Sequence, residues 1–182
     1  MRFRVFGPFT IPRNTNGLIS FNKDAKREFW EGVESACEGV SSGCGCYIVA
    51  AAGGNGAKPH YVGLTVRRSF KAECSAAHVI NHFNEVIAGK PKLRPQLFLI
   101  AKLTPTGRFA KPSSSGHADI RFLENYMIGL ALDRNPELRN QKQTKHLKDL
   151  HVEGFLNTGQ GKPSPSASSL RTLLGRKAGK KK

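Results

Sequence analysis

Cys46-Tyr47-Ile48-Val49 is a short apolar run with a tyrosine in it, and Tyr61-Val62-Gly63 is another. Between them lies the glycine-rich stretch Gly53-Gly54-Asn55-Gly56. Tyrosine and β-branched residues favour strands, and an Asn-Gly step between two such runs favours a tight hairpin turn. The sequence therefore predicts a β-hairpin that brings two phenol groups close together. Either both tyrosines pack on a face of the sheet, or their hydroxyls contact a phosphate or the water that attacks it.

Further strands and helices are predicted on both sides of this hairpin. Periodicity and turn residues give the order strand, helix, strand, strand, helix, strand, helix, tail. The hairpin is too short for the crossover that a parallel pair requires. We therefore expect an α/β (α+β) fold, in which helices flank a small mixed sheet. The predicted elements outside the hairpin are a strand over Arg2–Ile11, an amphipathic helix over Lys23–Cys37 with Trp30 near its edge, a helix over Phe70–Ile87 capped by Ser69, a strand over Leu97–Leu103 that pairs with the hairpin, and a helix over His117–Asp133.

Composition divides the chain into three parts. Residues 1–43 are predicted to form a strand and an amphipathic helix that pack on the core, and residues 44–158 a central domain. From residue 159 the sequence is dominated by Gly, Pro, Ser, Lys and Arg and ends in three lysines. Such a composition is typical of a flexible basic tail.

The formal net charge of +16 over 182 residues is unevenly spread. Residues 1–44 are nearly neutral, whereas residues 45–140 carry +7 and residues 141–182 carry +8. A field of this size attracts polyanions and makes binding sensitive to salt. Nucleic acid, either DNA or RNA, is the expected partner. A membrane surface is the weaker candidate, because no long basic amphipathic helix is evident.

The sequence also bears on the compartment. No run approaches the length of a membrane span, and the N-terminus lacks the apolar core of a secretory signal. We therefore expect a cytoplasmic protein with reduced thiols. Its four cysteines do not form paired Cys-x-x-Cys knuckles, which favours buried thiols over a structural zinc site.

Glu124 is the strongest candidate for a metal ligand. It stands among Phe122, Leu123, Tyr126 and Met127, in a stripe that includes Ile120 and Ile128 one turn away on each side. A carboxylate there is costly unless it is paired or bound to a metal. The alternative is that Glu124 lies on the solvent side of an amphipathic helix.

These residues, taken in order, resemble the GIY-YIG nuclease family over about residues 44 to 142. The resemblance rests on Tyr47, on Tyr61-Val62-Gly63, on a following basic helix, on Glu124 within an apolar helix and on Asn140. It implies that Tyr47 helps to position the attacking water, that Tyr61 contacts that water or the phosphate, and that Gly63 gives the backbone room to turn. It also implies that Glu124 binds one divalent cation, Mg²⁺ or another such as Mn²⁺, and that Asn140 braces the site through side-chain hydrogen bonds.

The sequence departs from the family pattern at two places. Cys46 stands where the first motif has isoleucine. Cysteine is a small apolar substitute for it. The arginine expected on the first helix matches Lys71 by its distance from Tyr61, whereas the arginines stand earlier, at Arg67 and Arg68. Either Arg68 or Lys71 would supply the catalytic cation, and Arg67 would contact substrate.

Two histidines four residues apart complete the set of candidates. His78 and His82 share a helix face and could contact phosphate or accept a proton. The hypothesis is thus a metal-dependent endonuclease that hydrolyses phosphodiester bonds in DNA. The alternative is a non-catalytic nucleic-acid-binding protein that keeps this fold.

Overall fold

The computed structural model of the chain describes residues 1–140, 144, 149, 152–155 and 162–174. The chain divides into two compact units, Met1–Asn140 and Gln141–Lys182, which are described separately. The predicted segment 1–43 and most of the predicted central domain lie in the first unit. The remainder of that domain, residues 141–158, lies largely outside the described residues.

The first unit contains a four-stranded sheet. Its strands are β1 (Arg2–Thr10), β2 (Gly45–Gly53), β3 (Gly56–Thr65) and β4 (Arg94–Leu103), in the spatial order β1-β4-β2-β3. Neighbouring strands are antiparallel throughout, so the expected mixed sheet is wrong. Strands β3 and β4 do run in the same direction, but β2 lies between them and prevents a parallel pair. The predicted hairpin and its pairing with the Leu97–Leu103 region are confirmed.

A bulge in the hairpin decides which face each tyrosine occupies. Ala50 pairs with Pro59, whereas the preceding residue, Val49, pairs with Tyr61, so His60 is the extra residue. Because side chains alternate between faces, one extra residue moves all those beyond it to the opposite face. The bulge therefore pairs Tyr47 with Gly63 and places Tyr61 on the same face as Tyr47.

Four helices of the first unit flank this sheet: α1 (Lys23–Ala36), α2 (Phe70–Cys74), α3 (Ala77–Ile87) and α4 (Ala118–Arg134). A short 3₁₀ turn covers Val40–Ser42. Ser69 caps α2 as predicted, its hydroxyl accepting a hydrogen bond from the Ala72 N–H. The single helix expected over Phe70–Ile87 is wrong, because it breaks at Ser75 and Ala76. The Trp30 indole donates to the Ser75 hydroxyl at this break, with a separation of 2.9 Å.

The two faces of the sheet carry separate apolar cores. Helices α1, α2 and α3 cover one face. Trp30 is 1% exposed in this core, so the prediction that it lies near the edge is wrong. Helix α4 covers the other face through Ile120. Three of the four cysteines are buried, as expected: Cys44 and Cys46 in the second core and Cys74 in the first.

The second unit contains helix α5, Pro165–Leu173, capped by the Ser164 side chain. This helix falls within the segment expected to be a flexible tail, so that expectation is wrong for these nine residues. Proline is well tolerated in a first turn, and Ser164 supplies a strong cap. The three C-terminal lysines lie outside the described residues. Among the described residues, no helix is both long and apolar enough to cross a membrane.

Candidate active site

Tyr47 lies at the centre of the hairpin and is 1% exposed. Its ring occupies the space beside Gly63, its cross-strand partner. A Cβ atom on Gly63 would stand 2.3 Å from the Tyr47 Cζ atom and 2.5 Å from its hydroxyl oxygen. Gly63 lies within β3 and not at a turn, so the expected reason for this glycine is wrong: it makes room for a phenol ring.

Tyr61 is the half-buried tyrosine of the pair. Its ring centroid lies 6.2 Å from that of Tyr47. On its other side the His82 imidazole stacks on it, with centroids 4.1 Å apart and planes 19° apart. Burial, together with the negative charge of Glu124, raises the pKa of Tyr61. Burial also raises the pKa of Tyr47, and a hydrogen bond to Tyr61 adds to that effect. Both phenols are therefore held protonated and suited to hydrogen bonding.

His82 is brought to the site by α3. Burial lowers the pKa of His82, so the neutral imidazole is favoured. Its Nδ1 atom is buried and has no hydrogen-bond partner among the described residues. An unpaired buried polar atom costs stability, and such atoms call for an explanation.

Glu124 lies on α4, which packs mainly along β3 and covers the face of the sheet opposite to Tyr47. Its neighbours in the helix stripe, Ile120 and Ile128, are 0% and 1% exposed, as the sequence predicted. Burial raises the pKa of Glu124, and the nearby Arg121 guanidinium offsets part of this. Cys46 helps to fix the helix here, because its thiol donates to the Ile120 carbonyl. Glu124 is thus a partly desolvated carboxylate whose charge acts on Tyr61.

Glu73, a residue that the sequence reasoning missed, links two of the predicted site residues. One carboxylate oxygen lies 3.4 Å from Arg68 Nη1, and the other lies 3.2 Å from His78 Nε2. The Glu73 side chain is 16% exposed, and its charge contributes to the raised pKa of both Tyr47 and Tyr61. A signal was present, since Glu73 is the sole acidic residue in the sequence between Glu38 and Glu85.

The helix break explains why Glu73 and His78 meet. Residues five apart on a continuous helix point about 140° away from each other. Because α2 ends at Cys74 and α3 begins at Ala77, the His78 ring can turn back toward Glu73.

Their contacts distinguish the two candidate cations, Arg68 and Lys71. Arg68 is held by Glu73, whose charge acts on both tyrosines. Lys71 is exposed, and its charge lowers the pKa of Glu34 on α1. Lys71 therefore faces the α1 side. Arg67 is exposed and lines a surface cavity together with Arg68.

Asn140 braces the outer edge of β3. Its Oδ1 atom accepts the Val62 N–H at 2.9 Å, and its Nδ2 atom donates to the Val62 carbonyl at 2.6 Å. The preceding residues continue this contact, since the Arg139 N–H donates to the His60 carbonyl and Asn135 Nδ2 donates to the Pro59 carbonyl. Segment 135–140 thus holds the edge strand at its bulge.

A divalent cation at Glu124 would have to take most of its ligands from substrate and water. No group of three or more His, Cys, Asp or Glu side chains with metal-binding geometry occurs among the described residues. Mg²⁺ commonly binds through one or two carboxylates, keeps several waters and takes substrate phosphate oxygens. A cation at Glu124 would also relieve the cost of its partly buried charge.

No protein-family model, no curated protein and no solved structure matches this chain.

Proposed function

We propose that this chain is a metal-dependent endonuclease that hydrolyses phosphodiester bonds in DNA with a GIY-YIG-like site. The surroundings of the Tyr61 phenol give this proposal its main support. The Tyr47 phenol from β2, the His82 ring from α3 and the Glu124 charge from α4 all act on this one phenol. Three elements distant in sequence thus act on one phenol, with a tyrosine and an imidazole ring packed beside it and a carboxylate within electrostatic range.

Each residue has a role that its environment supports. Tyr61 stays protonated and orients the attacking water or a phosphate oxygen by hydrogen bonding, while the buried Tyr47 holds its hydroxyl. Neutral His82 is available to accept a proton. Arg68 offers a guanidinium that can bind phosphate through two parallel hydrogen bonds. A divalent cation bound at Glu124 would polarise the phosphate and stabilise the leaving oxygen.

The second candidate is a nucleic-acid-binding protein without catalysis. The net charge of +16 favours it as much as it favours the nuclease. Binding alone, however, gives no reason for a partly desolvated carboxylate whose charge acts on the protonated Tyr61 phenol. Perturbed groups that converge in this way are more frequent at catalytic sites.

A plasmid-nicking assay distinguishes the two candidates. The intact chain should nick supercoiled DNA with Mg²⁺ or Mn²⁺, and Glu124→Gln should slow nicking by about 10²–10³-fold. Glu28→Gln, the same change at an exposed position of α1, should leave the rate unchanged. Bound but uncleaved DNA across several divalent metals would instead establish the non-catalytic binder.

A further inference from the structure

A surface cavity of about 350 Å³ lies next to the candidate active site. The end of β3 and the turn that follows form one wall, with Arg67 and Arg68. Glu73 on α2 and Arg121 on α4 complete it. Three guanidinium groups against one carboxylate give the lining a formal charge of +2.

Most of this positive charge is not held in ion pairs. Arg68 pairs with Glu73, whereas Arg67 and Arg121 form no ion pair with any described residue. The net positive charge of the lining makes the cavity attractive to an anion.

The backbone that carries Arg67 and Arg68 is fixed by several hydrogen bonds. The Thr65 hydroxyl donates to the Arg68 carbonyl, and the Ser113 N–H donates to the Val66 carbonyl at 2.8 Å. The Phe70 N–H donates to the Gly43 carbonyl at 3.0 Å. Because the backbone is already fixed, binding would have to order only the arginine side chains.

The cavity is next to the candidate metal ligand. Arg121 stands three residues before Glu124 on α4, a spacing that puts both side chains on adjoining parts of one helix surface. Arg121 also acts on Glu124 electrostatically. A nucleic acid backbone with one phosphate at Glu124 would therefore have a neighbouring phosphate within reach of the cavity.

We propose that this cavity binds a backbone phosphate adjacent to the one that is cleaved, with Arg121 and Arg67 as substrate-binding residues. Glu73 is then an internal anion that occupies Arg68 in the free protein, and an incoming phosphate replaces it. The assignment of the ligand to DNA rests on the proposed function. Arginine suits this role because its planar guanidinium matches the geometry of a phosphate.

The test is DNA binding by the full chain without divalent metal. Fluorescence anisotropy with a duplex oligonucleotide is measured over a salt series for the intact chain, Arg121→Gln, Glu73→Gln and Arg134→Gln. Arg134 provides the matched control, since it is an exposed arginine on the same helix outside the cavity. Thermal unfolding of each variant verifies that it is folded.

Arg121→Gln should weaken binding about tenfold and lower the slope of log affinity against log salt by about 1. Arg134→Gln should weaken binding less than about twofold. Glu73→Gln should tighten binding about two- to fivefold, because Arg68 is released from its partner. Equal losses in Arg121→Gln and Arg134→Gln, or unchanged affinity in folded Glu73→Gln, would overturn the proposal.

Cleavage by the same variants separates the two proposals. In an active nuclease, Arg121→Gln should raise KM more than it lowers kcat. An Arg121-dependent affinity in a chain that cleaves nothing would support the phosphate cavity and reject the nuclease. Cleavage that does not depend on Arg121 would support the nuclease and reject the phosphate cavity.

Discussion

Tyr47 and Gly63 face each other across the hairpin, and the ring of one fills the space left by the other. The sequence indicated both residues, and the resemblance gave each a role. It did not show that they are cross-strand partners. That pairing depends on the bulge at His60, which no local pattern marks apart from Pro59 beside it. Counting back from the turn without a bulge would have put the two tyrosines on opposite faces.

Gly63→Ala should damage both stability and activity. The added methyl group clashes with a ring that is 1% exposed and cannot move aside, so unfolding should be easier by about 1–3 kcal/mol. Urea denaturation measures this loss, and nicking should fall because Tyr61 loses its partner. Gly54→Ala is the control, because a Cβ atom at Gly54 meets nothing within 4 Å. If the two substitutions have equal effects on stability, the packing account is wrong.

At the scale of elements, the strands and the two long helices were predictable because runs of apolar residues and the turn residues that bound them are local signals. The break between α2 and α3 was not. Ser75 and Ala76 are compatible with a continuous helix, and it is the Trp30 indole, 45 residues away, that binds the break. Glu73 was missed for the same reason, since a continuous helix would have pointed it away from His78.

The brace on β3 also depends on a distant contact. Asn140→Ala should destabilise the fold by about 1–3 kcal/mol, because it removes both hydrogen bonds to the buried Val62 backbone. Urea denaturation of this variant is compared with Asn125→Ala, which changes an exposed asparagine on α4. Asn140→Asp keeps the hydrogen-bond acceptor but not the donor. Its free energy of unfolding should lie between those of Asn140→Ala and the intact chain. A stability of Asn140→Ala equal to that of Asn125→Ala would show that the brace is not needed.

For the whole molecule, composition predicted a strongly basic chain with an ordinary apolar core. It could not predict that the sheet would be antiparallel throughout, because that follows from strand order and not from strand content. Nor could it show that the charge of Lys71 acts on Glu34 while Arg68 pairs with Glu73. The distinction depends on where α2 packs, which is decided by contacts with the segment around Gly43.

Two partly buried histidines should make the molecule less stable in mild acid. Burial lowers the pKa of His60 and His82, whereas both titrate near about 6.5 when unfolded. The unfolded chain then takes up protons below about pH 6.5 while the folded chain stays neutral. The two histidines therefore contribute their full stabilisation above that pH. This contribution is lost as the pH falls toward their lowered pKa values in the folded chain. The free energy of unfolding should fall by at most about 1.4 kcal/mol per pH unit for each histidine.

Urea denaturation between pH 7.5 and 5.5 measures this dependence. His82→Phe keeps a ring against Tyr61 and should flatten the slope, with the remainder due to His60. An unchanged slope in His82→Phe would show that His82 is not held neutral by the fold.

Single-turnover cleavage of an end-labelled DNA duplex over a series of Mg²⁺ concentrations tests directly whether the chain is a nuclease that depends on a metal at Glu124. We predict that cleavage by the intact chain rises with Mg²⁺ to a plateau. Glu124→Gln should bind the duplex with similar affinity yet cleave it about 10²–10³-fold more slowly at every Mg²⁺ concentration. Cleavage by Glu124→Gln at the rate of the intact chain, with the same dependence on Mg²⁺, would contradict the account.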